Sequence, residues 1–169
     1  MLEIFNDLKL FFEDCHKQYS VREYARIMRI SPPTASLKLK RLHELKLLDK
    51  EEKFGRIFFW ASRDNLFRNL ARLYWSEKIK KTEIMEEIEK KCFNPCIILF
   101  GSLAKAENTK ESDVDLAIIG HLKDFKQEEF EKKIKRKIQI INQESLEKFP
   151  LELRNNIING HVIRGRLKI

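Results

Sequence analysis

The sequence predicts an α+β chain built in two parts, and three observations predict it. Apolar residues recur at helical spacing from residue 1 to about 48, and then the period shortens to that of strands. After Asn94-Pro95, two continuous apolar runs rich in β-formers, 96–100 and 113–119, flank a loop. Between these parts lies a charged stretch that keeps helical spacing, so a helical bridge is expected there.

A chain of 169 residues is the size of one domain or two small ones, and 43% apolar with 36% charged residues is the make-up of a water-soluble globular fold. No apolar run approaches the ~20 residues needed to span a bilayer. The start, "MLEIFNDLKLFFEDC", carries acids where a signal peptide carries bases. A cytoplasmic protein without a membrane partner is expected. Cys15, Cys92 and Cys96 have neither paired spacing nor a histidine cluster beside them, which predicts packed thiols. His16, His43, His121 and His161 stand apart and read as surface or capping residues. The net charge of +8 is spread as +3 over residues 1–62, +2 over 63–95 and +3 over 96–169, so it singles out no polyanion-binding face.

Ile4, Phe5, Leu8, Phe11 and Phe12 make one face of a first helix that ends near Cys15 and His16. In "SVRE", Ser20 can accept from the amide three residues on while Glu23 reaches back, a capping box opening a second helix through Arg29. Ser31 as N-cap and Pro32 at the first helical position open a third helix to Leu45. "LLDKEEKFGRIFFWAS" then reads as two short strands around a turn at Phe54-Gly55. Three helices followed by a hairpin, over about 60 residues, resemble small prokaryotic winged helix-turn-helix regulators. That resemblance implies double-stranded DNA as a partner, with the third helix in a major groove. Ala35, Leu39 and Leu42 facing the core leave Thr34, Leu37, Lys40 and Arg41 outward, with Ser36 at the edge and Ser31 at the start. Lys53 and Arg56 on the wing can reach a phosphate or the minor groove. Winged helices also serve as protein-interaction modules, in which case these residues are a solvated face.

The bridge runs from Asp64, its N-cap, to Lys91, with Leu66, Phe67, Leu70, Leu73 and Tyr74 as its apolar face and Thr82 as cap of a second segment. That face either covers the helical module or pairs with a second copy to give a homodimer, whose symmetry would suit two half-sites. The boundaries that follow are 1–62, 63–92 for the bridge and 93–169.

In "ILFGSLAKAENTKESDVDLAII", the first strand stops at Gly101-Ser102, where a turn can offer backbone N–H groups and a hydroxyl to a phosphate. Asp113 and Asp115 are two apart at the mouth of the next strand, so both carboxylates point to one side and repel unless a cation lies between them. An anion cradle facing a metal seat is the arrangement for a nucleoside triphosphate with magnesium.

Gly101-Ser102, ten residues, then Asp113-Val114-Asp115 resemble the signature of minimal nucleotidyltransferases of the DNA polymerase beta superfamily, and Ala104, Ser112 and the closing "NNIINGHVIRG" agree with it. The resemblance implies a small mixed sheet, phosphate contacts at Gly101 and Ser102, Mg2+ on a catalytic pair Asp113 and Asp115, and transfer of a nucleotidyl group to a hydroxyl. Lys105 and Ser112 fall in the same nucleotide-binding loop. Related small members modify a partner protein as antitoxins, which implies a protein acceptor such as a toxin. The family often has arginine and glycine where this chain has Lys105 and Ala106. Active members carry a third carboxylate on a later strand; the matching strand here is 137–143, after a charged helix from about Phe125 to Lys135, and its centre is Gln139. A neutral amide is no base at pH 7. Two functions therefore stand side by side: a magnesium-dependent transferase, or a DNA-binding regulator whose degenerate transferase domain senses nucleotide or docks a partner.

Overall fold

A computed structural model describes residues 3–167 of the chain. The chain divides into two compact units, Met1–Ala71 with Ala106–Lys110, and Arg72–Lys105 with Glu111–Ile169.

In the first unit, α1 (Glu3–Glu13) buries Leu8, Phe11 and Phe12 together with one acid, Asp7. That acid is answered from α3 (Pro32–Glu44), where Lys38 Nζ donates to both Asp7 oxygens at 2.9 Å and to Glu3 at 2.8 Å. Carboxylates on either side of an ammonium hold the Lys38 proton tightly, so its pKa is raised, chiefly by the hydrogen bonds to Glu3 and Asp7. The end of α1 is closed by Asn108, fully buried, whose Nδ2 donates to the carbonyls of Phe12 (2.9 Å) and Glu13 (3.1 Å). Its Oδ1 accepts from the Cys15 thiol at 3.3 Å. The side chain thus satisfies carbonyls that the helix itself leaves open.

A two-residue strand, β1 (Tyr19–Ser20), precedes α2 (Val21–Met28) and is too short to leave a periodic signal in the sequence. Ser20 Oγ accepts from Glu23 N at 3.2 Å, as the capping-box spacing predicts, and Arg29 ends the helix at φ 55°. Ser31 Oγ accepts from Thr34 N to cap α3, with proline opening the helix. The hairpin of β2 (Leu48–Lys53) and β3 (Arg56–Ala61) turns at Phe54 (φ 52°) and Gly55 (φ 67°). Two positive φ values in a two-residue loop match the twist of the flanking strands. The sheet order is β1-β3-β2, antiparallel throughout.

α4 (Asn65–Lys80) starts where Asp64 Oδ1 accepts from Leu66 N at 2.7 Å. Its buried residues are Phe67, Ala71, Tyr74, Trp75 and Ile79. The expected apolar face needs correction here: Leu66 and Leu73 are each 49% exposed and Leu70 is half-buried. A broad leucine stripe and a narrower aromatic one overlap on this helix, and the one holding the tryptophan turns inward, as the larger burial favours. Thr82 Oγ1 accepts from Ile84 N at 3.3 Å, though the residue at the N-cap of α5 (Ile84–Lys91) is Glu83, at φ 68° and without a side-chain cap.

In the second unit β4 (Cys96–Phe100) and β5 (Val114–Ile119) are the inner strands of a four-stranded sheet in the order β6-β5-β4-β7. Burial on both faces explains their unbroken apolar runs. β4 pairs antiparallel with β5 and with β7 (His161–Arg164), while β5 pairs parallel with β6 (Ile138–Gln143). The sheet is mixed, as expected. Between β4 and β5 lies α6 (Gly101–Lys105), and between β5 and β6 lies α7 (Glu128–Ile134). The latter starts three residues later than the charge pattern predicts, because Phe125 stacks on Phe130 at 5.7 Å instead of entering the helix. α8 (Leu151–Ile158) precedes β7. One face of the sheet packs Cys96, Ile98 and Ala117 against Leu146, Phe149 and Ile157. Cys15, Cys92 and Cys96 are buried and form no disulfide with one another. Among the described residues no helix is long and apolar enough to cross a membrane.

Candidate nucleotide site at the corner of the mixed sheet

Side chains alternate along a strand, so Asp113, Asp115, Ala117 and Ile119 share one side of β5 and its lead-in. Ala117 and Ile119 belong to the apolar core. One step further towards the start of the strand, that same face changes from core to acid. Register puts Phe100, the last residue of β4, opposite Asp115 on one side and Gln139 of β6 beside it on the other. The acids therefore sit where β4 ends, beside the first turn of α6.

The chain makes that turn at Gly101, whose φ is 69°. A Cβ built there would lie 2.0 Å from Asp115 Oδ2 and 3.0 Å from its Cγ. Only glycine satisfies both the left-handed backbone and the closeness of the carboxylate. The Gly-Ser turn and the acid are thus in direct contact, and the loop of twelve residues between Ser102 and Asp115 returns to its starting point.

Asp113 precedes β5 by one residue and is held from β6, where Gln139 Nε2 donates to Asp113 Oδ2 at 2.7 Å. Burial first, and the Asp113 charge second, push the Asp115 carboxyl up to about 6. This corner has more negative charge than it can comfortably hold.

The remaining loop residues fall around it. Ser102 is half-buried in α6. Lys105, at the end of α6 and exposed, donates to Asn156 Oδ1 of α8 at 3.1 Å. Ala106 adopts φ 56°, the conformation for which glycine is the unstrained residue. The Ser112 carbonyl accepts from Arg136 at 2.6 Å. Arg136, Trp75 beneath it and Asn156 are absent from the sequence-derived site. A signal for Arg136 exists in the alternation of "IKRKI": Ile134, Arg136 and Ile138 are buried while Lys135 and Lys137 are exposed.

A magnesium ion takes oxygen ligands and keeps several waters, using one or two carboxylates plus substrate phosphates. Asp113 and Asp115, two carboxylates at one corner of the sheet, fit that requirement. No cluster of three or more acid, histidine or cysteine side chains suited to a metal occurs among the described residues.

The residues expected to meet DNA lie in the first unit. Thr34, Leu37 (71% exposed), Lys40 and Arg41 stand outward on α3, Ser36 is half-buried, and Lys53 and Arg56 face each other across the hairpin end. Three of them already have partners: Ser31 Oγ and Thr34 Oγ1 are 2.7 Å apart, and Lys53 pairs with Glu51 at 2.6 Å.

In comparison with known proteins, the family model described as "Polymerase beta, Nucleotidyltransferase" matches residues 77–168, more than half of the chain. Neither the curated proteins nor the solved structures gave a match.

Proposed function

Because the chain belongs to the polymerase beta nucleotidyltransferase family, we propose that its sheet corner binds a nucleoside triphosphate with magnesium and passes the nucleotidyl group to a hydroxyl acceptor. The observation that carries this reading is the contact of Asp115 with Gly101, which joins the acid pair to the Gly-Ser turn in one site. Asp113 and Asp115 would hold the metal. When bound, it offsets charge on the phosphoryl group as the acceptor oxygen attacks and pyrophosphate departs. Gly101 and Ser102 would present amides and a hydroxyl to phosphate oxygens. Lys105, with Asn156 as its brace, would add a point charge without the fork of an arginine. Ser112 would close the loop side.

Calorimetry with ATP, GTP, CTP and UTP tests the site, with and without magnesium and on the Asp113→Asn variant. Magnesium-dependent binding that the substitution weakens at least tenfold is expected. Equal binding by both proteins contradicts the reading.

A second reading, binding without turnover, is favoured by Gln139. It lies in register with Asp115 and bonds Asp113, the place where an accepting carboxylate would be needed, and an amide takes no proton. Labelled triphosphates incubated with the protein and candidate acceptors separate the two. If this second reading is right, Gln139→Asp raises self-labelling or transfer well above the wild-type level while nucleotide affinity stays within a few-fold.

For the first unit the proposal is a winged-helix module that binds double-stranded DNA through α3 and the hairpin. The order of its elements and the exposure of Lys40 and Arg41 support it. A homodimer would put two such helices on two half-sites. The acceptor implied by resemblance is a partner protein. A chain working on nucleotides and DNA in this way would act in the cytoplasm.

A further inference from the structure

The segment between α7 and β6 grips Asp113 from three directions. Before it in sequence, the Ser112 carbonyl accepts from Arg136 NH1 at 2.6 Å. After it, Val114 N donates to the Lys137 carbonyl at 2.8 Å. The carboxylate itself accepts from Gln139 at 2.7 Å. Two of these bonds come from the ladder between β5 and β6 or from a side chain at the strand surface. The third requires a guanidinium inside the protein.

Arg136 is 8% exposed, and its central carbon lies 4.8 Å from the centroid of the Trp75 ring, which is fully buried. Lys78 Nζ lies 4.7 Å from the same centroid. A buried cation is expensive unless a π face and a hydrogen-bond acceptor take the place of water. Here the indole supplies the first and Ser112 the second. The indole Nε1 has no hydrogen-bond partner, so Trp75 is oriented by its ring contacts and not by its polar edge.

We propose that Arg136, seated on Trp75, is the positioning residue of the acid pair: it fixes the 112–113 backbone so that the Asp113 carboxylate stays against Gln139 and beside Asp115. The proposal rests on the metal-nucleotide reading for its purpose, while the positioning is a property of the chain alone. A purely structural arginine would contribute to stability and leave the acid pair in place.

The test compares wild type with Arg136→Met and Arg136→Lys in the full chain. Its first readout is the NMR shift of the Gln139 side-chain amide, which reports the bond to Asp113 without any metal. In Arg136→Met that signal should move towards its free value, and Arg136→Lys, which keeps a donor for Ser112, should bring it back. The second readout is Mn2+ binding by electron paramagnetic resonance. It should weaken about tenfold or more in Arg136→Met, while affinity for ATP in the presence of EDTA changes less than twofold. If Arg136→Met does not fold, Trp75→Phe serves in its place; it keeps a ring and removes an unbonded N–H, and smaller changes of the same sign are expected. An unmoved Gln139 signal in a folded variant overturns the proposal, as does an equal loss of Mn2+ and metal-free ATP binding. A moved signal in a protein whose wild type takes no Mn2+ upholds the positioning and overturns the metal site.

Discussion

The α3 face and the sheet corner both present candidate functional side chains, and they hold them in opposite ways. On α3, Leu37, Lys40 and Arg41 project from a helix whose other side is anchored by Ala35, Leu39, Leu42 and the Lys38 ion pairs. Their own ends are exposed. At the corner, Asp113 and Asp115 have their places dictated by neighbours: a glycine too close for any side chain, an amide at 2.7 Å and an arginine on the adjoining carbonyl. The difference matches what each would meet. A polyanion is a repeating target that long flexible cations can follow, whereas a metal between two carboxylates demands fixed oxygens.

Gly101→Ala should break the comparison most severely. The new Cβ meets Asp115 Oδ2 at 2.0 Å on a backbone with φ 69°. Overpacking and left-handed strain together should cost on the order of 3 kcal/mol and abolish magnesium-dependent nucleotide binding, by urea unfolding and calorimetry.

Lys40→Ala with Arg41→Ala probes the exposed side. Stability should stay within about 0.5 kcal/mol of wild type. Duplex affinity should fall, and the slope of its logarithm against that of salt should flatten by about 2, one per lost phosphate contact. An unchanged slope would remove α3 from the interface.

Asp115→Asn sharpens the contrast through pH. Burial, and after it the Asp113 charge, push the folded carboxyl up to about 6, above the ordinary aspartate value of 3.8. The folded state therefore keeps the proton that the unfolded chain has already lost. Stability from this group is full below about pH 4 and is lost as pH rises to 6 and beyond. The metal-free wild type should thus be less stable at pH 7.5 than at pH 5 by this contribution. The asparagine variant should gain about 1 kcal/mol at pH 7.5, after allowing for the solvent that reaches a half-buried group. Magnesium should diminish that gain.

Much of this was legible in the sequence because the physics is local. Ser20 and Ser31 announce their helices through caps, Phe54-Gly55 announces its turn, and two acids at a strand mouth announce a charge problem. Gln139 was reached through the family resemblance, which points to the strand where active members carry a third carboxylate; the pairing of that residue with Asp115 comes from the sheet register. What the sequence hid depends on tertiary competition. Leu66 and Leu73 have the right spacing for a core face, yet Trp75 and Phe67 outbid them for burial. Arg136 stands in a run of lysines, where the alternation that turns it inward with Ile134 and Ile138 is easily passed over. β1 exists because β3 offers it a partner. Ala106 in a left-handed conformation is a cost the sequence does not display.

β6 lies at the edge of its sheet, and Gln139 is exposed upon it. A side chain in that position can be exchanged without asking the interior to repack, so whether an amide or a carboxylate stands beside the acid pair is a choice separable from folding.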